Sequence, residues 1–214
     1  EKINQMEYKS NDITLKLNLA QVYEELGEYE KAIKTYKKIL NNQTKPLKLK
    51  HKNKIKFILG KMYYQINQNE LAVKNLEPVY QKIDSLNFTP RKKALLCYYL
   101  GKTLSEKEKY KKSLEIHQKG ITIYPELTLN YLGKAQTLDK MNNIKEAISG
   151  YKAVLRKDYS YSYLYPIIAK KYDQLDNIEA AFYYWKRSMV TGNNTQQAKK
   201  RIAAIKEEYP KLVE

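Results

Sequence analysis

The stretch that comes nearest to a phosphate cradle is Gly101-Lys102-Thr103, which looks like the end of a nucleotide-binding loop. That loop needs another glycine five residues before its Gly-Lys pair, so that backbone N–H groups can turn onto the ligand, and Leu96 stands there. The triplet also falls inside a pattern of helical period rather than between a strand and a helix. The histidines are His51 and His117. His51 lies among lysines, which would repel a cation, and His117 takes an aromatic place in a helical stripe, as a packed core side chain does. Cys97 is the single cysteine; it excludes an intrachain disulfide and sits at a large-hydrophobe place, as a core thiol would. No nucleophile stands beside a base, and no Cys/His cluster has metal-ligand spacing. The expectation is a protein that is not an enzyme, with no cofactor and no metal.

What positions these residues follows from composition. The 214 residues are 43% hydrophobic, and 21 tyrosines supply much of that fraction against 3 Phe and 1 Trp. A tyrosine carries an apolar ring and a polar tip, which suits thin layers where few side chains lie far from water. Seven Gly and six Pro give too little punctuation for a chain that turns every ten residues, so the composition leans helical. Lys+Arg number 40 and Asp+Glu 23, a net charge of +17 that would draw acidic partners, unless the lysines merely solvate helix surfaces. No apolar run approaches the ~20 residues that cross a bilayer. The chain starts at Glu1 without Met and shows no signal peptide, so we expect a processed chain or a piece of a longer one. The compartment is undetermined, with the cytoplasm slightly favoured.

Internal repetition organises the chain. A first segment with a small residue near its middle is followed by a second in which a small residue precedes a large one by four. Leu19, Ala20 and Tyr23 lead to Gly27, Ala32 and Tyr36; Leu59, Gly60 and Tyr63 lead to Ala72, Leu76 and Val79. Leu100, Gly101 and Leu104 lead to Ser113, His117 and Pro125; Tyr131, Ala135 and Leu138 lead to Ala147, Tyr151 and Val154. Tyr165, Ile168, Ala169 and Tyr172 lead to Ala181, Trp185 and Ser188. The starts at 94, 128 and 162 are 34 residues apart, the period of a tetratricopeptide repeat, and the chain resembles that family.

The resemblance implies an all-α, right-handed α-solenoid of about five helix-turn-helix units with a C-terminal capping helix. The units are read as 13–46, 47–93, 94–127, 128–161 and 162–195, preceded by a partial helix over 1–12 and followed by a capping helix and tail over 196–214. The extra residues 47–52 and 87–93 follow Thr44-Lys45-Pro46 and Phe88-Thr89-Pro90, and read as N-terminal extensions of first helices. The alternation from Leu47 to Phe57 also fits a strand, but Pro46 and the repeat register outweigh it. Pro78 should kink a second helix.

Function follows from the resemblance too. First helices of such arrays line a concave groove that holds an extended peptide or a helix. The mapping places Thr14, Leu17, Gln21 and Glu24, then Lys54, Phe57, Lys61 and Tyr64, in that groove. Leu95, Tyr98, Lys102 and Ser105 come next, then Leu129, Leu132, Gln136 and Asp139, with Tyr163, Lys170 and Asp173 at the far end. Lysines between aromatics imply a scaffold or adaptor whose partner segment is acidic with apolar anchors. A chaperone-tail receptor is disfavoured: the carboxylate clamp of that subfamily needs Lys, Asn and Arg where this chain has, from unit two, Phe57 and Lys61, Tyr99, Leu129 and Gly133. A second surface is a basic edge of Lys48, Lys50 and Lys52 with Arg91, Lys92 and Lys93. It could meet nucleic acid or an anionic surface, although arginine is scarce and RNA-binding motifs are missing. The alternatives are a sensory or regulatory module of a longer signalling or transcription-regulating protein, and self-association through the end units.

Overall fold

A computed structural model describes residues 13–41 and 47–212. The expectations for residues 1–12 and for the Thr44-Lys45-Pro46 turn lie outside these. Eleven α-helices follow one another among the described residues. First helices are α1 (Ile13–Glu25), α3 (Leu49–Gln65), α5 (Pro90–Glu106), α7 (Thr128–Lys140) and α9 (Tyr165–Gln174). Each is followed by a second helix: α2 (Tyr29–Leu40), α4 (Asn69–Tyr80), α6 (Tyr110–Ile123), α8 (Ile144–Lys157) and α10 (Ile178–Val190). The last, α11 (Thr195–Glu208), buries Ala198, Ile202 and Ile205 against α10 and leaves its other face polar, closing the core. The result is a right-handed α-solenoid.

The same turn joins the helices of each pair. One residue adopts a left-handed backbone: Gly27 (φ 74°), Asn67 (58°), Glu108 (58°), Asn142 (60°) and Asp176 (52°). The next N–H then reaches back to the last turn of the first helix, as Glu28 does to the Tyr23 carbonyl (2.9 Å) and Lys109 to that of Leu104 (2.9 Å). Gln68, Asn143 and Asn177 repeat the bond at 2.8, 2.9 and 3.0 Å. This closure satisfies carbonyls that a helix end would leave bare.

Helix lengths follow local chemistry. Helices α3 and α5 have 17 residues against 13 in α7. Residues 49–57, where alternation also fitted a strand, are helical. Thr89 caps α5 by accepting from the Lys92 N–H, with Pro90 beside it in the first turn. Helix α4 runs through Pro78 and ends two residues later, at Tyr80. Helix α9 has only 10 residues and starts at Tyr165, because Pro166 is tolerated only in a first turn; residues Tyr159–Leu164 form a 3-10 segment before it.

Small residues sit where the helices of a pair cross. Ala20, Ala135 and Ala169 are fully buried in first helices, as are Ala32, Ala72, Ser113, Ala147 and Ala181 in second ones. A methyl group added at Gly60 would collide with the Leu76 side chain. One at Gly101 would come within 2.7 Å of the His117 imidazole.

Gly133, two residues out of the repeat register, faces that same imidazole from α7, so His117 is held between two glycines of successive units. Its Nδ1 lies 3.2 Å from Asn130 Oδ1, and the Asn130 amide donates to the Ala94 carbonyl (2.9 Å). Because Asn130 Oδ1 can only accept, the imidazole proton sits on Nδ1, leaving Nε2 a buried lone pair without a partner. Ser113 donates to the Gly101 carbonyl (2.8 Å) and lies 3.0 Å from the Thr137 hydroxyl. This polar layer separates an apolar core ending at Ile116 from another beginning at Leu132.

Candidate functional site

Successive first helices touch, α3 against α5 and α5 against α7, whereas successive second helices make no comparable contact. Over these three units the stack packs more closely on its first-helix side, the side that we take as the inner wall. A cavity of about 590 Å³ opens between α1 and α3, and Thr14, Leu17, Gln21, Glu24, Lys54 and Lys61 all line it. A shallower one of about 300 Å³ lies between Lys102, Gln136, Asp139 and Tyr151.

Most charges on this wall are already spent on one another. Lys61 Nζ lies 2.5 Å from Glu24 Oε1, which joins α3 to α1. Lys140 lies 2.5 Å from Glu106, and Lys171 pairs with Asp139. Arg201 Nε lies 2.9 Å from Asp173, which ties the capping helix to α9. Lys102 donates to Gln136 (2.8 Å) and has Glu106 at 3.8 Å. Desolvation pulls its ammonium below the usual lysine range.

The same carboxylates hold aromatic tips from their own unit. The Tyr151 hydroxyl donates to Asp139 (3.0 Å) and the Trp185 indole N–H to Asp173 (2.8 Å), each pair twelve residues apart. Glu24 is twelve residues before Tyr36, whose hydroxyl is pushed up to about 12 by burial and then by that carboxylate. An acid here thus clamps a ring behind it and a cation from the next unit. Lys107–Glu70, Lys112–Glu77 and Lys119–Asp84 link successive units elsewhere on the stack. In each of these ion pairs between units the cation belongs to the later one.

Several residues expected in the groove stand differently. Phe57 is 6% exposed and packs under Phe88 and Tyr99, with ring centroids 6.0 and 6.3 Å away, so it is core. Leu132 and Ser105 are buried as well. All three point into the seams between helices, which a mapping by helix face resolves to no better than one position. Tyr64 packs edge-on against Tyr99 (5.9 Å), and Tyr99 against Tyr98 (5.2 Å). Burial raises the Tyr98 hydroxyl, and Tyr64, Tyr99, Tyr161 and Tyr163 add to the shift. Rings from α3 and α5 thus form one continuous floor, and the Tyr161–Tyr163 pair (5.9 Å) of the 3-10 segment lies near Tyr98. Tyr163 is 44% exposed there, on the 3-10 segment rather than a helix. Lys54 and Lys170 remain exposed, without ionic partners among the described residues.

At the basic edge, Lys48, Lys50 and Arg91 are exposed while Lys52, Lys92 and Lys93 are half-buried. Lys93 donates to the Asp84 carbonyl (3.0 Å), and Lys92 lies over the rings of Phe88 (4.5 Å) and Phe57 (5.7 Å). Cys97 is buried, its thiol pushed up to about 12 by desolvation. No group of three or more His, Cys, Asp or Glu that could hold a metal occurs among the described residues.

These features define a solenoid of helix pairs with a tyrosine-floored inner wall, the architecture of a repeat protein built to present a surface. A family model described as tetratricopeptide repeat matches residues 13–45. Crystal structures sharing the fold include YrrB, described as a TPR protein with an unusual peptide-binding site (TM-score 0.67, 18% identity, covering 94% of this chain and 97% of that one). MamA aligns at TM-score 0.67 and 19% identity over 92% of this chain and 94% of its own. In the APC/C hetero-tetramer Cut9–Hcn1 the match has a TM-score of 0.65 and 15% identity, over 89% of this chain and 35% of that one. No curated protein matches by sequence. Residues 13–45 thus match a tetratricopeptide repeat, and the chain shares the fold of tetratricopeptide-repeat structures.

Proposed function

We propose that the protein is a non-catalytic interaction scaffold that holds an extended segment or helix of a partner protein along its inner wall. The observation that carries this reading is the run of rings Tyr64, Tyr99 and Tyr98 along α3 and α5, centroids 5.9 and 5.2 Å apart, with the Tyr161–Tyr163 pair of the 3-10 segment near enough to Tyr98 to raise its hydroxyl. Rings of this kind give large contact area at low conformational cost, and their hydroxyls meet the polar backbone of a peptide. The peptide-binding site named for YrrB supports the same use of the fold. Lys61 and Lys102, offered by the sequence as grips for an acidic ligand, are held within the protein. The partner segment accordingly carries apolar or aromatic anchors for the tyrosine floor, and its acidic residues meet Lys54 and Lys170 at the two ends.

A random peptide library displayed on phage and selected on the full chain tests this. Tyr163→Ala should weaken the selected peptides about tenfold or more, as loss of a central aromatic anchor does. Tyr183→Ala, on second helix α10 and 55% exposed, should leave them unchanged. Peptides that lose affinity with Tyr183→Ala and keep it with Tyr163→Ala would place binding off the inner wall.

A further inference from the structure

Where the extended N-terminal ends of α3 and α5 meet the segment after α4, they enclose a cavity of about 560 Å³. Four ammonium groups line it: Lys50 and Lys54 from α3, Lys92 from α5, and Lys82 from the connecting segment. None has a carboxylate partner among the described residues. Lys61, Lys107, Lys112, Lys119, Lys140 and Lys171, by contrast, each join one unit to the unit before it. Asp84, on the segment after α4, already faces Lys119 at 3.0 Å. Lys92 is drawn below the usual lysine range, by desolvation and then by the like charge of Lys54, so the cluster is held against its own repulsion.

A second observation is independent of charge. Asn53 is 8% exposed and lines the cavity, yet its side-chain amide makes no hydrogen bond with the protein. The amide keeps some contact with solvent and is free to donate into the cavity. Thr89 and the first turn of α5 complete the wall, and the positive end of that helix faces the same space.

We propose that this cavity binds a small organic phosphate monoester, its phosphate held by Lys50, Lys54, Lys82 and Lys92 and accepting a hydrogen bond from the Asn53 amide. A dianion matches four point charges better than a carboxylate does, and lysine serves phosphate as such a charge. The volume exceeds the needs of a bare phosphate, and Leu49, 58% exposed, and Phe88 give the carbon part of the ligand an apolar rim. Lys54 and His51 also line the α1–α3 cavity, so the ester would sit at one end of the peptide-binding wall.

Calorimetric titration of the full chain with phenyl phosphate, at constant ionic strength near physiological, tests the assignment. Saturable one-to-one binding is expected, with benzoate weaker by about tenfold or more, since it carries the same ring and one charge. The Lys82→Gln/Lys92→Gln variant and, separately, Asn53→Leu should each lose about tenfold in affinity or more. Lys199→Gln/Lys200→Gln, on exposed positions of α11, should lose none. Equal binding of benzoate and phenyl phosphate, or full affinity in both cavity variants, overturns the proposal. Inorganic phosphate binding as tightly as the ester overturns the organic part of it. The peptide selection above is read at Tyr163, so either idea can fail alone.

Discussion

Protonating His117 would place a second N–H on a ring nitrogen that faces two glycines and no acceptor. Burial accordingly lowers its pKa from 6.5 to about 4, against a smaller opposing effect of the Asn130 contact. The unfolded chain takes up that proton as pH drops below the ordinary imidazole value, and the folded one resists until its own. Stability from this group is therefore complete above about pH 6.5 and is lost as pH falls towards about 4, a total near 3 kcal/mol. Chemical denaturation at a series of pH values should show that loss, and His117→Leu should flatten it, since leucine fills the equivalent place in unit two against Gly60. Wild-type stability constant across this range would refute the account.

At the level of helices, the turns invite a different measurement. Four of the five left-handed positions carry Gly, Asn or Asp, which tolerate that backbone, and the fifth carries Glu108. Glu108 is exposed, so Glu108→Gly should raise stability by about 1 kcal/mol, read as a higher melting temperature. An unchanged or lower value would show that the glutamate contributes something the turn geometry does not. The helices themselves were legible because small residues at fixed spacing dictate close crossings, and Ala20 with Ala32 or Ala135 with Ala147 announce them without any partner information. Pro166 could have been read as the start of α9, which the 34-residue period instead put three residues too early. The inner wall was less legible. That Lys61 finds Glu24 and Arg201 finds Asp173 depends on the angle between successive units, which no spacing within one unit encodes. The interval of twelve between Asp139 and Tyr151, repeated at Asp173 and Trp185, was visible in the sequence and pointed to a structural use of those acids.

Across the whole solenoid, charge and core are unevenly distributed. Exposed ion pairs each contribute little, about 0–1 kcal/mol, but they consume carboxylates where units meet, and Lys50, Lys54, Lys82 and Lys92 at the α3–α5 end are among the cations left over. The apolar core is continuous from α1 to α6, breaks at the polar layer, resumes from α7 into α9, and forms a third cluster from α9 to α11. Stability in such stacks is a sum over neighbouring interfaces, so mild acid should open this seam first. Hydrogen exchange read by mass spectrometry at about pH 5 should show amides of α6 and α7 losing protection, relative to neutral pH, ahead of those in α8 and α10. Uniform loss along the chain would argue against a weak seam. Gly133 has a consequence for how this gene can change. Excising residues 128–161 would bring Ile167, the residue one period further on, opposite the imidazole that now needs bare backbone there. The modules are therefore keyed to their neighbours, and loss of the fourth is barred by the third.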